Sequence, residues 1–178
     1  MSASYSSAGA GDTARSLFID GAVNIHSVEK EAEQIIERQL DRVTNYPEVA
    51  ARLRQHLDET RQQMQRLDRI LESMDEGRSV LKDTAMKVMG NLAALAHAPA
   101  GDEILKNTFA NLAFENFEIA SYKSLITLGE AAGFNREVEM LRESLREEQE
   151  MARWIDEHVD DVTRQYLARS AAGAKADR

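Results

Sequence analysis

The sequence predicts an all-α protein: a four-helix bundle made of two long-helix hairpins, with an additional short helix between the hairpins. Three observations carry this. Apolar residues recur at three- and four-residue steps along nearly the whole chain, as helix faces turned toward a core require. Two prolines and nine glycines leave too little punctuation for a many-stranded fold. A length of 178 residues suits one domain with a sizeable core.

Residues 1–15, rich in Ser, Gly and Ala, and residues 169–178 lack an apolar period, so both read as disordered tails around a bundle domain spanning 16–168. The first helix is expected from about Leu17 to Val43, with Ile25, Ala32, Ile36, Leu40 and Val43 on its apolar side. It stops at TNYP, where Pro47 can open the next helix. That second helix runs to about Met74 on a stripe of Val49, Leu53, Leu57, Met64, Leu67 and Leu71, with Gly77 as the residue that ends it. A shorter helix, about Ser79 to His97, follows, and HAPAGD breaks the chain. Asp102 then suits the N-cap of a helix lasting to Gly133, and Asn135 the cap of a final helix to about Leu167. The Asp102–Gly133 helix is apolar nearly all round, which predicts that it is the most buried of the set.

Composition removes several function classes. A formal net charge of −9 disfavours nucleic acid as a partner while allowing attraction of cations. The absence of cysteine excludes disulfides, thiolate metal sites and thiol catalysis, and it suits a reducing cytoplasm. No signal-peptide pattern and no apolar run of membrane-spanning length occur, so no membrane partner is expected.

Acidic residues on the apolar faces are the informative feature. Glu29 lies about 40° around its helix from Ile25, a core position. Glu115 and Glu118 interrupt the most apolar helix beside Tyr122 and Ile126, and Glu148 is flanked by Leu145, Ala152, Ile155 and Val159. Glu59 sits only at the margin of its stripe, with Gln63 as a neighbour. An unpaired carboxylate in a core costs several kcal/mol or stays protonated, so something must compensate these charges. A shared cation site, burial against Arg or Lys, and a face awaiting a partner are the competing accounts. Against all three stands the ordinary helical glutamate on a solvated face.

The chemistry that wants such a cluster is binding of two divalent ions, iron ahead of manganese, by carboxylates from facing helices. Ferritin-like carboxylate proteins do this with two Glu-x-x-His motifs. Here none of His26, His56, His97 or His158 follows a glutamate by three residues. Gln62 follows Glu59 and Met151 follows Glu148 at that spacing, and Gln63 can offer an amide oxygen.

The segments HSVEKEAEQ (26–34), YPEVAARLRQHLDETRQQMQRLDRIL (46–71), ENFEIASYKSLITLGEAAGF (115–134) and LRESLREEQEMARWIDEHV (141–159) resemble the YciF/YciE-type ferritin-like family of small bacterial stress-associated proteins. The resemblance implies a ferritin-like bundle, commonly a homodimer, with a di-metal site between the helices. It carries metal-ligand roles onto Glu29, Glu59, Glu115, Glu118 and Glu148, with Gln63 where members have Gln or His. Asn116 stands where a histidine is common in the family, and Asn24 where an aspartate is common.

Other polar residues read more plainly. His56, one turn before Glu59, could bind a metal or donate to a ligand, but a packed or half-exposed side chain is the plainer reading, and His26 has less claim. Tyr122 could donate to a glutamate or carry an electron but fits a core tyrosine with its hydroxyl satisfied, and the seven methionines fit core filling. Trp154 points away from Glu148, as a subunit contact would. Two functions follow. One is a di-metal, stress-response protein that oxidises Fe(II) with dioxygen or peroxide at a glutamate-rich centre. The other is a non-catalytic dimeric bundle, structural or partner-binding, with a degenerate metal site.

Overall fold

The computed structural model describes residues 7–74 and 101–177, and these form four helices. They are α1 (Ser7–Leu40), α2 (Pro47–Ser73), α3 (Glu103–Ala132) and α4 (Asn135–Ala171). The expected short helix near Ser79–His97, and Gly77 before it, lie outside the described residues.

The helices pack in a ring, with α2 and α3 flanking α1 and α4 closing the ring against both. Short connections make α1/α2 and α3/α4 antiparallel hairpins. Arg61 reaches Glu33 and Glu37 across the first hairpin, and Arg142 reaches Glu130 across the second. Glu29 meets Tyr122 and Gln39 meets Asn111, so α3 runs antiparallel to α1 as well. Helices α2 and α3 therefore point the same way, as in the ferritin-like arrangement.

Two expected boundaries shift. Helix α1 begins ten residues ahead of Leu17, because Ala14 and Phe18 are buried and Arg15 donates to the Met74 carbonyl, giving the extra turns a packed face. At the other end α4 runs to Ala171, past the expected Leu167, and carbonyls of the residues after it meet donors on other elements. The Asp177 carbonyl accepts from the Ile104 N–H, and that of Ala176 accepts from the Tyr46 hydroxyl at 2.6 Å. Asp102 precedes α3 as expected but makes no side-chain cap, its carboxylate pairing with Lys106 instead. Asn135 is the first residue of α4, with Phe134 in the capping position.

Helix α3 is not the most buried helix. Phe109 is 54% exposed, and Ala113 and Ala120 also face outward, since a helix in a four-membered ring turns only one face to its neighbours. Close approach at its end depends on Gly129, where an added Cβ would lie 2.8 Å from Val138 Cγ2 and 2.9 Å from Phe18 Cε2. Gly133, at φ 81°, supplies the left-handed residue that ends α3.

The core is layered. Phe18, Ala22, Leu67, Ile70, Leu71, Leu125 and Leu141 fill one end. Ile36, Leu53, Leu57, Met151 and Ile155 form a second apolar layer. A polar stratum of buried Glu, Gln, His and Tyr lies between them.

Candidate metal centre

All four helices contribute to this stratum. Helix α1 supplies Glu29, α2 supplies His56 and Gln63, α3 supplies Glu115, Glu118 and Tyr122, and α4 supplies Glu148; each is buried. The apolar stripes that fold the bundle also carry these side chains inward, because they share the same helical lines.

His56 organises one side. Its Nδ1 lies 3.1 Å from Glu59 Oε2. A carboxylate only accepts, so Nδ1 carries the proton and Nε2 faces the interior. There Nε2 stands 3.3 Å from Glu115 Oε2 and 3.8 Å from Glu148 Oε2. One donor atom from each of His56, Glu115 and Glu148 falls within 4.8 Å of the others, a spacing that a single cation can span. Burial alone would push the His56 imidazole down, but the adjacent Glu115 carboxylate and the hydrogen bond to Glu59 lift it well above 6.5.

Glu148 is fixed by Gln63, whose Nε2 donates to Glu148 Oε1 and, at 3.0 Å, to Glu147 Oε2. Arg66 in turn clamps Glu147 through two hydrogen bonds of 2.7 and 2.8 Å and reaches the Ser144 hydroxyl. On the other side, Tyr122 donates to Glu29 Oε1 at 2.5 Å.

Negative charge is crowded here. Burial raises Glu29 to about 8, against the pull of the Tyr122 hydrogen bond and the His56 charge. Burial and the nearby Glu148, Glu29 and Glu115 lift Glu118 well above the usual carboxylate range. Burial and Glu115 do the same to Glu148. Burial, then Glu29, hold the Tyr122 hydroxyl protonated far above its ordinary range.

Whether these residues suit a metal can be judged from their unused atoms. Glu29 Oε2, Glu118 Oε1, Glu148 Oε2 and Gln63 Oε1 are buried and accept no hydrogen bond, and Glu115 Oε2 has only the long contact to His56. Native interiors rarely leave such acceptors unsatisfied. Carboxylate and amide oxygens with one imidazole nitrogen are the donors that iron or manganese accepts, so the set fits a divalent cation.

Of the residues singled out in the sequence, Glu29, Glu115, Glu118, Glu148 and Gln63 are all buried. Among the described residues only Glu115 and Glu148 of these join a three-residue group whose donor atoms lie within 4.8 Å of one another, the third member being His56. Glu59 does not join them. Its Oε2 is held by Arg52 at 3.0 Å and His56, and its Oε1 by Gln55 at 2.8 Å. Burial would raise Glu59, but hydrogen bonds from His56, Gln55 and Arg52 outweigh it and pull the group down to about 2. Asn116 is exposed and donates to the Leu112 carbonyl, so its departure from the family pattern leaves the stratum untouched. His26 pairs with Asp68 at 3.1 Å, and Trp154 stacks on His158, both away from the stratum. His56, which its place one turn before Glu59 made only a minor candidate, is buried and stands at the centre of the donor cluster.

The family profile described as "Domain of unknown function (DUF892)" matches residues 13–168. Protein YciF of Escherichia coli (strain K12) is 29% identical, the match covering 76% of this chain and 84% of that protein. The crystal structure of a Xanthomonas campestris pv. campestris protein superposes with a TM-score of 0.74 at 28% identity, covering 89% of this chain and 99% of that one. That of the E. coli stress protein YciF gives 0.70 at 27%, covering 83% and 95%. The motifs, the fold and these likenesses agree, and the chain belongs to the DUF892 family, the YciF-type group of ferritin-like bundles.

Proposed function

We propose that the buried stratum is a di-metal centre in a stress-response protein, holding two divalent ions, iron ahead of manganese. The observation that supports this is the set of buried oxygens without hydrogen-bond donors, drawn from all four helices, with the ionisation of Glu29, Glu118 and Glu148 each disfavoured by charge on others of the set, Glu115 included. In this reading His56 Nε2, Glu115 and Glu148 hold one ion, and Glu29, Glu118 and Gln63 complete the set. Glu59 orients instead of binding: it fixes the His56 tautomer and ring, as carboxylates beside metal-bound imidazoles do. Arg66 acts further out, through Glu147 and Gln63, to keep the Glu148 carboxylate in place. When bound, such ions supply redox chemistry, here the oxidation of Fe(II) by dioxygen or peroxide. The chain's own contribution is a dry, shaped cage whose donors need no reorganisation. The same reading includes a homodimer, as the resemblance implies, in the reducing cytoplasm that a chain without cysteine suits.

Oxygen-free Fe(II) titration followed by elemental analysis tests it. Two ions per chain are expected for the natural protein, with a loss in Glu118→Ala. Less than one ion per chain, unchanged by that substitution, sinks the proposal. It would favour the second reading, a structural or partner-binding bundle in which a charged His56 is the internal counter-ion of Glu115 and Glu148, as its elevated proton affinity suggests.

A further inference from the structure

Between α2 and α4 the polar contacts of the stratum run unbroken to the surface. Three glutamates of α4 descend from solvent to the interior, the side chains of Glu143, Glu147 and Glu148 being 52%, 18% and 1% exposed. Arg66 of α2 straps the upper two. Its Nη2 lies 3.1 Å from Glu143 Oε1 and 2.8 Å from Glu147 Oε1, and its Nη1 lies 2.7 Å from Glu147 Oε2. Gln63, one turn before Arg66, joins the lower two by donating to both Glu147 and Glu148. The same amide head carries Oε1, buried and without a donor, and Glu148 keeps Oε2 without one. The descent therefore ends on oxygens that can receive a cation. Neighbouring surfaces differ. Helices α1 and α3 meet beside the stratum through Val28, Ala32, Ile35, Phe114 and Phe117, which offer a cation nothing. Arg52 and Glu59 make a second polar chain, but it ends on His56 Nδ1, a donor.

We propose that divalent cations reach the centre between α2 and α4 along Glu143, Glu147 and Glu148, with Arg66 as the latch that holds the upper two carboxylates until a cation arrives. The proposal rests on the metal-centre reading and adds its route of loading. The pair of Arg66 with the half-exposed Glu143 holds weakly and opens readily. Released from the guanidinium, Glu147 presents both oxygens beside Gln63 and Glu148. The positive charge of Arg66 opposes any cation on this path, so the latch slows entry and exit alike.

Stopped-flow absorbance of Co(II) binding to the full chain without oxygen, with elemental analysis at equilibrium, tests the route. Glu147→Gln is expected to slow loading about tenfold while two ions still bind at saturating Co(II). Glu143→Gln should slow it about threefold at low ionic strength, an effect lost in high salt. Arg66→Met should speed both loading and release to a chelator, and Arg66→Lys, which keeps the charge but cannot span both carboxylates, should do so to a smaller degree. Glu33→Gln removes the same charge from the α1–α2 side, where Glu33 pairs with Arg61, and should load as the natural protein does. Natural equilibrium uptake with equal loading rates in Glu147→Gln and Glu33→Gln overturns the route alone. Loading by both Arg66 variants at the natural rate or slower overturns the latch. Uptake of less than one ion per natural chain at equilibrium removes the metal-centre reading and the route with it.

Discussion

Charge within the stratum is managed by pairs of unlike reach. Glu59 and Glu148 are both near His56, but Glu59 is satisfied by Arg52, Gln55 and the imidazole, whereas Glu148 keeps Oε2 without a donor. In the proposed metal centre the first would be a support and the second a ligand. Replacing the support should therefore disturb binding without dismantling the site. In Glu59→Ala the affinity for Mn(II), measured calorimetrically, is expected to fall about 10- to 100-fold, the usual effect of losing a carboxylate behind a metal-bound histidine. Glu59→Gln, which can still accept from Nδ1, should recover most of it. If Glu59→Ala binds Mn(II) as tightly as the natural protein, the orienting role is lost.

At the level of whole helices, close packing at one end of the bundle is set by glycine. Gly129→Ala would press a methyl group into Val138 and Phe18, both buried and with little room to move, so α3 must shift from α1 and α4. Overpacking of this kind costs about 1–3 kcal/mol. Gly133→Ala meets open space and carries only the strain of its positive φ, about 1 kcal/mol. Urea unfolding should show the larger drop in midpoint for Gly129→Ala with an unchanged m-value. The reverse ranking would mean that the helices do not approach as closely as described.

For the molecule as a whole, the polar stratum opposes folding in the absence of a cation. Burying several carboxylates that lack donors costs stability, which the apolar layers on either side must offset. Removing one should stabilise the metal-free chain: Glu118→Leu is expected to gain about 1–4 kcal/mol in chelator, by denaturant unfolding. The natural protein should instead gain on adding Mn(II), about 2.7 kcal/mol at a hundredfold excess over Kd, a response that the variant loses. A Glu118→Leu protein that is less stable in chelator would assign that carboxylate to the fold and not to a ligand.

Amino-acid order alone determined the four long helices and the inward faces of Glu29, Glu115, Glu118 and Glu148, because the three- and four-residue period that buries leucine also fixes where a glutamate on the same line must point. Pro47 and Gly133 marked boundaries for the same local reason, being residues whose backbone preferences act without partners. Tertiary structure alone decided that Glu59 turns to Arg52 and Gln55, that His56 presents Nε2 to Glu115, and that the C-terminal tail docks on Tyr46 and Ile104. Those outcomes depend on which helices become neighbours and how their side chains share donors. Periodicity gives the direction of a side chain from its own axis and is silent about what waits at the other end.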